Sequence, residues 1–142
     1  MYEPRRSHLT VIALACAMAL VLVACGGDGA STSIKATVSD FEFNPTSWTV
    51  AAGEEITIEV TNDAALTHEF VILQKGVTVD DESELPETEE ELLSDFVYWE
   101  VEVESGETVT ETFTAPEAGT YEVICAIEGH LDAGMRAELT SE

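Results

Sequence analysis

Near the end of the chain Cys125, His130 and Met135 follow one another at intervals of five residues, and a second histidine, His68, lies far upstream. A thiolate, two imidazoles and a thioether are a selective set of donors. One cysteine and two histidines in a trigonal plane, with a weak axial methionine, define a blue-copper electron-transfer site. The thiolate gives a polarizable, covalent bond that suits copper in both oxidation states, and imidazole accepts either. A structural zinc site takes four short nitrogen or sulfur ligands, and methionine is not among them. Each residue taken singly has an ordinary explanation. A lone cysteine at a strand end is usually core, a lone histidine a satisfied polar group, and a methionine after glycine packing filler. Together they are every cysteine, histidine and methionine beyond residue 33. Independent packing roles explain that coincidence poorly.

Short strands must position these side chains. Residues 48–50 are β-rich, residues 55–60 alternate strictly, and Ala52-Gly53 makes a turn between them. Residues 69–73 are apolar enough for a buried strand, 97–103 and 108–113 alternate again, and 120–125 and 136–140 complete the series. This pattern predicts an all-β antiparallel sandwich or barrel. Cys125 then stands at a strand exit, and the loop after it is long enough to bend three side chains onto one point. His68 immediately precedes a buried strand, which a sandwich can bring to the same end. Residues 74–96 break the pattern. Pro86 suits a first helical position, the acids from Glu87 to Glu91 favour the positive end of a helix dipole, and Leu92 and Leu93 can pack inward. The expectation is one short acidic helix that covers an edge of the sheet.

The first residues belong to a different physical regime. Arg5 and Arg6 precede an apolar run over residues 9–24, followed by Cys25, Gly26 and Gly27. That is the layout of an export signal, and the run is short for a membrane span. Leu22-Val23-Ala24-Cys25 resembles the lipobox of bacterial and archaeal lipoproteins, which implies cleavage before Cys25 and lipidation of its sulfur. The expected organisation is a lipoprotein-type signal peptide over 1–24, a lipidated cysteine and flexible tether over 25–33, and one β domain over 34–142. The protein would then be extracytoplasmic and lipid-anchored to the cytoplasmic membrane. The whole chain has 142 residues with 29 acidic and 5 basic side chains, a net charge of −24. Losing Glu3, Arg5 and Arg6 with the signal leaves 28 acids against 3 bases. So few cations exclude a nucleic-acid-binding stripe and electrostatic adsorption to an anionic membrane. Such acidity suits either a basic partner or a saline milieu.

The same residues resemble the cupredoxins, of the small plastocyanin-, auracyanin- and halocyanin-like single-domain type, over nearly all of 34–140. Asp40-Phe41-Glu42-Phe43-Asn44-Pro45 followed by Val50-Ala51-Ala52-Gly53-Glu54 is similar to the family's N-terminal hairpin. Thr61-Asn62 leading to His68 resembles the approach to the first ligand, and Gly119-Thr120-Tyr121 to Cys125 the penultimate strand. The resemblance implies a Greek-key sandwich of about eight strands and one type 1 copper per chain, held by His68, Cys125, His130 and Met135. It also implies electron exit at His130 through an apolar patch, for which Ala126, Ile127, Leu131 and Ala133 are the candidates. Partners would be redox proteins, a cytochrome c or an oxidase domain of basic charge, met by a monomer. No catalysed reaction is expected; the alternative is an extracytoplasmic copper chaperone or resistance protein, which usually carries spare methionines and histidines that this chain lacks. Two positions depart from the family pattern: Glu69 replaces an asparagine and Glu128 a proline. Both place a carboxylate near the metal and favour the more highly charged cupric state, hence a lower potential.

Overall fold

The computed structural model describes residues 29–142, so Arg5, Arg6, the apolar run and Cys25 lie outside the described residues. No helix among the described residues is long and apolar enough to cross a membrane. Period-two alternation builds the frame. In β4 (Glu55–Asn62) Ile56, Ile58, Val60 and Asn62 are buried, while the residues between them face outward. Around it stand β1 (Ser33–Ser39), β2 (Glu42–Asn44), β3 (Ser47–Val50), β5 (His68–Leu73), β6 (Val97–Val103), β7 (Thr108–Thr114), β8 (Gly119–Ile124) and β9 (Arg136–Ser141). They form one sheet in the order β2-β1-β4-β7 and a second in the order β3-β9-β8-β5-β6. β1 with β4 and β3 with β9 run parallel; the other pairs are antiparallel. This is the expected cupredoxin-like sandwich. It has nine strands, because residues 42–50 supply two short ones.

An aromatic cluster fills the space between the sheets. Phe70 meets Phe43 at 5.5 Å, Trp48 at 5.1 Å and Trp99 at 6.5 Å between ring centroids, and Trp99 stacks on Phe113 at 4.8 Å. Edge-to-face and offset contacts of this kind add specificity to the burial of large apolar area. Strand directions give the molecule two poles. β1 and β4 run toward the pole that holds the turn at Phe41, the start of β5 and the end of β8. At the opposite pole Ser31 pairs with Val50, exchanging hydrogen bonds with Thr49 and Ala51. Glu142 closes on the same pole through Val50 and Ala52.

Residues 74–96 differ from the expectation in two ways. The α-helix α1 (Glu89–Glu91) begins after Thr88, whose extended backbone and side-chain acceptor for the Glu91 N–H form the cap. Pro86 lies outside it, and a separate 3₁₀ turn (Glu82–Glu84) is capped by Asp81. The segment also covers a face of the sheet rather than its edge. Val79 joins Val71, Leu73, Val97, Ile124 and Leu131 in a second buried cluster, with Leu85, Leu92 and Phe96 packed against it. β5 can serve both clusters because Phe70 and Ile72 point into the sandwich while Val71 and Leu73 point outward. Leu93 is 41% exposed and takes no part in the cluster.

Candidate metal centre

His68 is the first residue of β5, opposite Val103 of β6, and it has no exposed surface. The loop before it is pinned by Asn62. The Asn62 side-chain amide donates to Leu66 O at 2.8 Å and Val103 O at 2.9 Å, and its oxygen accepts the Ala64 N–H at 2.9 Å. A buried asparagine with this many partners is fully satisfied, so it holds the loop to the neighbouring strand. Neither ring nitrogen of His68 has a hydrogen-bond partner. Leaving a buried polar group unpaired costs about 1–3 kcal/mol, so this ring position is unfavourable unless something else meets the nitrogens.

Cys125 follows β8 and is fully buried. The chain then folds through tight turns. His130 N–H donates to Ile127 O, Gly134 N–H to Leu131 O, and Met135 N–H to His130 O. Gly129 (φ 84°) and Gly134 (φ 97°) take left-handed conformations that other residues adopt only at a cost, and so let the loop return within ten residues. Cys125 N–H donates to Met135 O at 3.3 Å, closing the loop at its base. Met135 is fully buried in the same cluster as Cys125. The loop therefore holds three of the four expected residues, and the start of β5 brings the fourth.

The donor atoms of His68, Cys125 and His130 all lie within 4.8 Å of one another. Cys125 Sγ is 3.2 Å from His130 Nδ1, and the two imidazole centroids are 4.7 Å apart. The Glu69 backbone N–H donates to the same sulfur at 3.3 Å. Burial, followed by the charge of His130, lowers the pKa of His68; burial lowers that of His130. Both rings are therefore neutral and offer lone pairs. Burial pushes the Cys125 thiol up to about 11. A buried thiol beside two neutral imidazoles, one without any partner, fits a soft cation, which would meet the unpartnered His68 nitrogens. Glu69 is half-buried, and its carboxyl is raised by burial and then by Glu100 and Glu102, with the Ala126 amide opposing.

Not every expected residue is where the sequence suggested. Leu131, assigned to an exposed patch around His130, is 1% exposed and packs under residues 74–96. Ala126 also faces that cluster, and Ile127 packs on the main core; Ala133 is exposed. Apolar surface is supplied instead by Leu66, in the loop before His68, and by Phe41. The Phe41 ring meets His130 edge-on at 5.0 Å and His68 at 6.4 Å. It sits at φ 61°, a conformation costly for an aromatic residue and sustained here by the surrounding contacts. The only local sign of it was an aromatic residue within the Asp40-Phe41 turn between two strands.

A cupredoxin-like domain family matches residues 11–140. Among characterised proteins, the chain is 31% identical to auracyanin A of Chloroflexus aurantiacus over 87% of this chain and 90% of that protein. It is 39% identical to plastocyanin A/B of Petroselinum crispum over 69% of this chain and 84% of that one. Among solved structures, the dithionite-reduced auracyanin of Roseiflexus castenholzii superposes with a TM-score of 0.65 at 26% identity, covering 80% of this chain and 99% of that one. Auracyanin A of Chloroflexus aurantiacus, described as a "blue" copper protein, gives 0.59 at 27% identity, covering 78% of this chain and 99% of that one.

Proposed function

The chain belongs to the cupredoxin-like family, and on that premise we propose that it is a type 1 blue copper protein that carries single electrons between redox partners. His68, Cys125 and His130 would hold one copper ion in a trigonal set, with Met135 as the weak axial ligand. The observation that carries this reading is His68, fully buried with both nitrogens unpartnered, beside Cys125 and His130. When bound, copper supplies the one-electron couple. The protein supplies the rest. The sheet fixes His68, the turns fix His130, and the Glu69 N–H steadies the sulfur. Such rigid holding keeps the ligands in place whichever charge the site carries. Cys125 must lose its proton to serve as a ligand, and with its thiol at about 11 it does so only against a positive charge in the site.

Electrons leave, in this reading, on the side of His130, which is 5% exposed where His68 is wholly covered. Phe41 lies against His130 there, so a partner would meet the ring through its edge. The partners would be basic redox proteins, steered by the acidic surface. The lipobox-like Leu22-Val23-Ala24-Cys25 supports an extracytoplasmic protein anchored by lipid at Cys25. The deep burial of all four candidate ligands favours retention of the metal over delivery.

Copper titration tests the assignment. One equivalent of cupric ion should produce intense thiolate-to-copper absorption that a reductant bleaches reversibly. It should also release about one proton at neutral pH, from Cys125 alone, since both imidazoles are already neutral. Cys125→Ser should remain colourless. A colourless wild-type protein overturns the reading.

A further inference from the structure

β5 ends at the pole far from the candidate metal centre, yet the segment that follows climbs back to it. Val79, on the way, has both backbone groups taken by side chains of β8 and β9. Its N–H donates to Glu122 Oε2 at 3.0 Å, and its carbonyl accepts from Arg136 Nη1 at 3.2 Å. Arg136 Nη2 donates to Asp80 O at 2.8 Å, and Nη1 also meets Glu122 Oε1 at 3.3 Å. One guanidinium thus grips two successive carbonyls, a geometry that needs the planar fork of arginine and that lysine cannot reproduce. Farther on, the Glu82 N–H donates to Asp132 Oδ1 at 3.0 Å.

Glu122 stands on β8, while the other two side chains lie on one short stretch. Asp132 lies between His130 and Met135, and Arg136 follows Met135 directly. Leu131 is 1% exposed and Val79 2%, and both belong to the cluster outside the sheet, whereas Cys125 and Met135 belong to the core inside it. The ligand loop is therefore clasped from two sides. Its ends are set in the sandwich, and its middle is set against residues 79–85.

We propose that residues 74–96 are a brace for the ligand loop, and that Arg136, Glu122 and Asp132 are positioning residues that fix the loop by clamping it to Val79–Glu82. The importance of that fixing rests on the copper reading above, but the mechanical coupling does not. A segment that merely covered apolar sheet surface would be held by Val79, Leu85 and Leu92 alone. It would not need an arginine fork at the residue after Met135. A brace lets the loop keep one geometry when the charge of the site changes, which an electron carrier requires.

Amide hydrogen exchange on the metal-free protein separates the two. In Arg136→Lys, which keeps the charge and loses the fork, amides of 79–84 and of 127–135 should exchange faster together. A rise of about tenfold corresponds to the loss of one or two charge-assisted bonds. Amides of β4 and β7 should not change. Val79→Ala loosens the brace without altering any residue of the ligand loop and should give the same paired pattern, so the test survives if Arg136→Lys fails to fold. Copper-loaded Arg136→Lys should also show an altered ratio of its thiolate-to-copper bands. Faster exchange confined to 79–84, or a uniform rise across all strands, overturns the brace. A colourless wild-type protein with the paired exchange pattern intact would sink the copper reading and leave the brace standing.

Discussion

His68 is delivered by a sheet, whereas Cys125, His130 and Met135 are delivered by a loop. The first is the opening residue of β5, paired with Val103 of β6, with a single asparagine securing the approach. The other three ride on a stretch of tight turns that depends on two left-handed glycines, one closing hydrogen bond and the contacts of residues 79–85. The difference teaches where rigidity comes from. A strand inherits it from its ladder, while a loop has to be held by side chains reaching in from elsewhere.

Removing the asparagine is the strongest way to break the contrast. In Asn62→Ala the carbonyls of Leu66 and Val103 and the amide of Ala64 lose their partners. The cost should be about 1–3 kcal/mol in urea unfolding. Asn62→Asp should recover little, because a carboxylate cannot donate to two carbonyls. A wild-type midpoint for Asn62→Ala would mean that the strand alone secures His68.

Acidification sharpens the contrast with a smaller effect. The pKa values of His68 and His130 are lowered in the folded protein, so the unfolded chain binds protons more readily. Stability of the metal-free protein is then fully present above the ordinary histidine value of about 6.5 and lost as the pH falls below it. Thermal unfolding between pH 7.5 and 5 should show that loss. His68→Gln should flatten the profile more than His130→Gln, since His68 is wholly covered and has no partner at either nitrogen. Equal flattening would show that the two sites differ less than their surroundings suggest.

The smallest effect distinguishes the two carboxylates that depart from the family pattern. Glu69 is half-buried, and its backbone N–H is bonded to the Cys125 sulfur, whereas Glu128 is exposed. Water screens an exposed charge far more than a half-buried one. Redox titration should therefore give a higher potential for Glu69→Gln, by tens of millivolts, and a lesser rise for Glu128→Pro. No rise in either would remove the electrostatic argument.

The sequence carried the framework and the candidate donors for physical reasons. Ile56, Ile58 and Val60 alternate because one face of β4 is core, and Cys125, His130 and Met135 are rare residues close together on the chain. The alternation over 55–60 stops short of Asn62, which the structure adds to the same buried face as the last residue of β4. What could not be read depends on distant contacts. Residues 79–82 are held by Glu122, Asp132 and Arg136 at separations of about fifty residues, so the local signal at Pro86 put the helix too early. Leu131 looks like a surface residue beside His130 until residues 74–96 cover it. The left-handed turn at Phe41 has no signature in residue type.

Ser31 and Glu142 both pack at the pole opposite the candidate metal centre. A group attached at Glu142 leaves the molecule from its base. β1 spans seven residues, which at about 3.3 Å each sets the face with Phe41 and His130 more than 20 Å above that base. Immobilised on an electrode through Glu142, the domain would stand with the face that carries Phe41 and His130 toward solution, and changing the length of the attachment would alter its height without touching the face. Wiring that face directly to the electrode would instead take a new attachment point, at an exposed position such as Leu66.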